Sequence, residues 1–275
     1  MMKKSHLYLL ILAFFWVSCE QEADIPLPEV DSKISVSCFF SDETDTLRVM
    51  LRWSDPVFSN NPLEGNVVRD AQVVIYNNNF SVNLILDEST GFYQAPVQGF
   101  SLSPGNDYYL TVTSADGIVA SAKTRIPREL PDVRAASVTR EVSMDQYGQY
   151  LVQFNFETLL GNIDALEPYY RLIYFQKWDD PFIMSQWYQT GEQFYEFEGN
   201  TQEQNLKMEV VNYGMDTTMT LHKSYVIHGS EDYHRFHTTV QSISYGPFAE
   251  PTIVYSNVNN GLGIFAGYRQ LEILY

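Results

Sequence analysis

The chain has 275 residues with 17 basic and 34 acidic side chains, a formal net charge of −17. A surface this acidic is repelled by nucleic acid and by anionic lipid headgroups, which excludes nucleic-acid binding as a function. Aromatic residues make up 15% of the chain against 2 cysteines, so its interior is expected to rest on ring packing, with no internal disulfide framework.

Lys3 and Lys4 open the chain, an apolar run covers residues 7–17, and Ser18 precedes Cys19. A basic start, a short apolar stretch and a small residue before the cut predict an export signal over residues 1–18. The run is too short to span a bilayer, which takes roughly 20 apolar residues. Trp16-Val17-Ser18-Cys19 resembles the bacterial lipobox, with Trp16 where Leu is usual. That resemblance implies cleavage before Cys19 and acylation of its sulfur, so the membrane is met through an N-terminal lipid. Two or more acyl chains anchor stably, at about 0.8 kcal/mol per buried methylene. Residues 19–32, with Glu20, Glu22, Asp24, Pro26 and Pro28, are expected to form an acidic, extended tether. Acids placed just after the Cys resemble the signals that carry Bacteroidetes lipoproteins to the outer face of the outer membrane; the periplasmic face is the alternative.

Beyond the tether the dominant period is 2. Ile34, Val36 and Cys38 alternate with serines, Leu47, Val49, Leu51 and Trp53 with Arg48, Met50 and Arg52, and Tyr108, Leu110 and Val112 with Tyr109, Thr111 and Thr113. This is the pattern of antiparallel strands with one row on a core, and it makes Cys38 a buried strand residue. Asp116-Gly117 predicts a hairpin, and Asn77-Asn78-Asn79 and Ser89-Thr90-Gly91 predict turns. Residues 33–127 are therefore read as an immunoglobulin-like or transthyretin-like β-sandwich. Pro127 and Pro131 suggest a hinge. Residues 132–275 are read as a second β-rich domain carrying one amphipathic helix at about 230–243. Ser230 suits its N-cap, Glu231 and Asp232 its first turn, and Tyr233, Phe236, His237, Val240 and Ile243 form one apolar stripe.

The tail reads Pro247-Phe248-Ala249-Glu250-Pro251, then Val254-Tyr255-Ser256-Asn257-Val258, then Asn260-Gly261-Leu262-Gly263-Ile264-Phe265-Ala266-Gly267-Tyr268. It resembles the C-terminal signature of the DUF4249 family of Bacteroidetes envelope lipoproteins. The Ser230-Glu231-Asp232-Tyr233 helix start, Val67-Val68-Arg69-Asp70-Ala71-Gln72-Val73 and Gly91-Phe92-Tyr93 fit that family's layout as well. The resemblance implies an accessory role beside a TonB-dependent outer-membrane receptor, in capturing a ligand or capping the receptor. It brings no catalytic residues. Gly261 and Gly263, before an apolar strand, are expected to sit where two backbones meet closely.

Catalytic chemistry has no motif here: GxSxG, a phosphate-binding glycine loop and a zinc signature are all missing from the sequence. No catalytic residue, metal or cofactor is expected, and the protein is read as no enzyme. His234 and His237 stand three apart on the helix and could share a metal, but His237 lies on the apolar stripe and packing explains it more simply. The most suggestive stretch is Trp178-Asp179-Asp180 with Trp187 and Tyr188. Flat rings stack on sugars or dock a protein partner, and carboxylates accept hydroxyl protons. These five residues are the expected ligand or partner surface, for a glycan or a peptide. A stand-alone glycan-binding or adhesion module is the competing function.

Overall fold

Each alternating segment becomes a strand because one row of its side chains enters a core. β1 (Ile34–Phe40) buries Ile34, Val36, Cys38 and Phe40, and β2 (Thr46–Trp53) buries Leu47, Val49 and Leu51. The computed structural model describes residues 31–54, 66–178, 186–197, 203–213, 219–243 and 252–275, with backbone only at 178, 213, 219 and 220. Cys19, most of the tether and the motif at 247–251 lie outside the described residues. The fold is mainly β, with fifteen strands and one helix among them.

β3 (Gln72–Tyr76), β4 (Ser81–Asp87), β5 (Phe92–Pro96), β6 (Asp107–Thr113) and β7 (Val119–Arg125) complete the first half. The predicted turns hold. Gly117 has φ +82° between β6 and β7, and the Asn77 side chain accepts from the backbone N–H of Asn79 and Phe80, each at 2.9 Å. β4 pairs with β3 through residues 81–84 and with β5 through 85–87, so the sheet bends there and both arms share one core.

The second half holds β8 (Asp132–Met144), β9 (Tyr150–Gly161), β10 (Tyr169–Trp178), β11 (Trp187–Glu196), β12 (Glu203–Tyr213) and β13 (Met219–Gly229). The helix α1 (Glu231–Gln241) and strands β14 (Val258–Asn259) and β15 (Leu262–Leu274) follow. β12, β9 and β8 make a three-stranded sheet. Its inner residues Val152, Phe154, Phe156, Leu206 and Val210 pack on Tyr170, Leu172, Tyr174 and Val226 from β10 and β13.

The sequence reading divides the chain at Pro127 and Pro131, but the last strand crosses that division. β15 pairs in parallel with β1, Cys38 against Phe265, and antiparallel with β13, Val226 against Leu271. Phe265 is wholly buried in the core of the first half. One twelve-stranded sheet, ordered β11-β10-β13-β15-β1-β2-β5-β4-β3-β6-β7-β14, therefore runs through both halves, and Ser32–Tyr275 forms one compact unit. The expected hinge is pinned. Both ring nitrogens of buried His228 lie within hydrogen-bond distance of backbone carbonyls, of Glu129 at 2.5 Å and Glu167 at 2.6 Å. Arg269 of β15 donates to the Arg128 carbonyl at 3.0 Å and pairs with Asp42 beside β1.

Gly263, at φ +97°, needs no side chain because a Cβ there would land on the Val36 carbonyl of β1. A Cβ at Gly267 would land on the Arg125 carbonyl of β7. The glycines of the tail thus serve close backbone packing.

Candidate functional site

The region β11-β10-β13-β15 has two faces, set by strand alternation. The inner one meets the three-stranded sheet. The outer one carries Trp187, Phe175, Lys223 and Tyr225, on β11, β10 and β13, with Glu272 and Leu274 on β15.

α1 covers one end of this outer face. Ser230 caps it, its Oγ accepting from the Tyr233 N–H at 3.2 Å. Tyr233, Phe236 and His237 then pack toward Phe39, Ile173, Ile227 and Tyr268. Arg171 of β10 is the polar centre of this contact. Its Nη1 donates to Tyr233 Oη at 2.8 Å, its Nε donates to Glu192 at 3.2 Å, and its guanidinium lies 5.2 Å from the Phe194 ring centre. His237 stacks on Phe39 at 5.2 Å, and burial, then the Arg171 charge and His234, push its pKa down to about 4. His234 packs on Tyr169 and Phe194, and burial lowers its pKa as well. Both rings are held by packing, and no group of three or more His, Cys, Asp or Glu side chains is placed to hold a metal among the described residues. The expected apolar stripe is covered over its first turns only, since Val240 is 38% exposed.

Past the helix the outer face is partly exposed: Phe175, Trp187 and Tyr225 are half-buried and the Lys223 side chain is 14% exposed. The Lys223 ammonium sits 4.8 Å from the Trp187 ring centre, 4.9 Å from Tyr225 and 5.8 Å from Phe175. Nζ donates to Tyr225 Oη at 2.9 Å and to Glu272 at 3.1 Å, and these two partners raise the lysine pKa against the desolvation that lowers it. Tyr225 also donates to Glu272, which is held below the usual carboxylate range. Leu221 and Leu274, on the same face, are 45% and 70% exposed. The result is an aromatic–aliphatic surface on which the Lys223 ammonium is boxed by rings and matched by a carboxylate, while Lys177 stands on the same face in the cross-strand row between Trp187 and Leu221. Such a surface presents ring edges and faces beside a lysine, which suits stacking on a ligand or docking a partner.

Of the five expected residues, Trp187 and Tyr188 have described side chains, and one of the two lies on this surface. Trp187 lies on it. Tyr188 is its neighbour along β11, so it turns to the inner face, where it stands 41% exposed at the strand's edge. Trp178 ends β10, its side chain outside the described residues together with Asp179 and Asp180. Phe175, Lys223, Tyr225 and Glu272 escape the sequence reading because three strands distant in the chain supply them. The Lys223-Ser224-Tyr225 alternation puts two of them on one face, but it does not say which strand lies alongside.

Among the described residues no helix is long and apolar enough to cross a membrane. Cys38 is a buried free thiol, held far above its usual pKa by burial. No curated protein matches the chain. Residues 20–273 match the family described as Domain of unknown function (DUF4249), and the chain belongs to that family.

Proposed function

We propose that the protein is a lipid-anchored binding protein of the outer membrane. It is tethered through Cys19, exposed at the cell surface, and acts as an accessory to a TonB-dependent receptor by capturing its ligand or capping it. The observation that carries the binding half is the half-buried aromatic face of Trp187, Phe175 and Tyr225 around Lys223. It is built on strands rather than on a loop, so its geometry is stiff without a ligand. The anchor rests on the sequence around Cys19. Tethering raises the effective concentration of such a surface near a membrane partner without adding a contact. The protein works by binding and not by catalysis.

Two experiments test this. Cys19→Ala should abolish incorporation of labelled palmitate and release the protein from membranes; a wild type that takes up no label sinks the anchor. Affinity capture from detergent-solubilised outer membranes, after crosslinking, should recover a β-barrel receptor, and Trp187→Ala should weaken that recovery. Capture of the protein alone overturns the accessory role.

A further inference from the structure

A cavity of about 450 Å³ sits on the seam between the two halves. The stretch before β6 gives it Gly105, the end of β7 and the segment after it give Arg125, Arg128 and Glu129, and the link from β9 to β10 gives residues 163–167. Arg128 and Glu129 are exposed and Leu166 is 89% exposed, while Ile163 is buried, so the cavity runs from solvent down to an apolar side chain.

Its walls are fixed by backbone groups. The Arg128 N–H donates to Glu167 Oε2 at 3.2 Å, the Leu166 N–H to Asp164 Oδ1 at 2.9 Å, and the Asp164 N–H to Tyr170 Oη at 3.3 Å. With the His228 and Arg269 contacts to the same segments, these bonds hold the site in shape independently of any ligand. A cavity shaped beforehand costs its ligand little ordering. Gly105 leaves room for the arginine, since a Cβ there would come within 3.3 Å of Arg128 Nε.

The charges around the cavity do not cancel in pairs. Arg125 is matched by Asp107 at 2.7 Å. The Arg128 guanidinium and the Glu129 carboxylate make no hydrogen bond or ion pair among the described residues, and Asp164 and Glu167 each give one oxygen to a backbone N–H. One unpaired guanidinium thus stands beside three carboxylates. That combination repels a phosphate or other dianion. A neutral ligand would take these charges out of water without pairing them, which is costly. No three of the described His, Cys, Asp or Glu side chains are placed to hold a metal. A ligand that carries both an anion and a cation meets both signs.

We propose that this cavity binds a small zwitterion with an ammonium and a carboxylate, a free α-amino acid or a short peptide. Arg128 takes the carboxylate in a forked pair, Glu129 and Asp164 accept from the ammonium, and Leu166 and Ile163 cover the aliphatic part. The site shares no residue with the Trp187 face and needs neither the lipid anchor nor a receptor.

The test is calorimetric titration of the full chain, purified from membranes in a non-ionic detergent. L-alanine, L-leucine, L-lysine, Ala-Ala and Ala-Ala-Ala are added in turn to about 20 mM, which reaches millimolar affinity. At least one should bind saturably; binding by the first three alone names a free amino acid, and binding by the last two alone a peptide. Arg128→Gln alters an exposed side chain, so it should leave the melting temperature unchanged and weaken that binding about 10-fold or more, the worth of a charge-assisted pair. On the wild type, the N-acetylated form of the ligand that binds lacks the ammonium and its C-terminal amide lacks the carboxylate, and each should weaken binding by a similar factor. Absence of binding by all five overturns the site. So does an affinity unchanged in Arg128→Gln, or equal binding by the two blocked forms. The titration involves no receptor, so its failure leaves the outer-membrane reading standing, and failure of receptor capture leaves this site standing.

Discussion

Gly263 is a residue whose identity follows from a single contact. At φ +97°, with the Val36 carbonyl where a Cβ would go, alanine must either strain the backbone or push β15 off β1. Gly263→Ala should lose about 3 kcal/mol or more, read as a lower urea midpoint with an unchanged slope; a loss under about 1 kcal/mol contradicts the parallel pairing. His237 makes a pH prediction. Burial, Arg171 and His234 push its pKa down to about 4 from an ordinary value of 6.5. The unfolded chain then binds a proton between these values while the folded one does not. Stability from the neutral ring is complete above pH 6.5 and drains away as pH falls toward 4, by roughly 1–2 kcal/mol after allowance for partial solvent access. His237→Phe keeps the stack on Phe39 without the proton, so its melting temperature should fall less than that of wild type from pH 6.5 to 4. Parallel curves for the two proteins would rule the account out.

At the scale of the element, α1 is short, and tertiary contacts rather than propensity hold it. Ser230 connects its start to the sheet: Oγ accepts from Tyr233 N–H and from Thr124 Oγ1 of β7 at 3.3 Å. Ser230→Ala should cost about 1–2 kcal/mol and raise amide exchange in the first helical turn ahead of the strands. Uniform exchange along the helix would mean that the cap is not what holds it. The far side of α1 is covered by the returning chain, where Tyr255 donates to Asp232 at 2.7 Å and lies under Arg235. Burial raises the Asp232 pKa against those bonds.

For the whole molecule, β15 decides how many units fold. It brings Phe265 into the first core and Ile273 into the second. A fragment of residues 33–127 lacks this strand, exposes the β1 edge and empties the Phe265 site, a loss of about 3–5 kcal/mol from the ring alone. That fragment should show no cooperative unfolding by circular dichroism. The full chain should unfold in one calorimetric transition, because His228 and Arg269 pin the 127–131 segment to β13 and β15. A fragment that melts cooperatively by itself would contradict this coupling.

What the sequence by itself determined is what depends on neighbours along the chain. Period-2 alternation predicted β1, β2 and β6, Asp116-Gly117 the hairpin, and Ser230 the start of the helix, because strand faces, turns and caps are decided within a few residues. The resemblance in the tail pointed to the family. Only the tertiary structure decided which strands lie side by side: that residues 262–267 join the first strand, and that Lys223 meets Trp187. Register and pairing are set by how two cores close around shared strands, and that closure leaves no periodic trace in the chain.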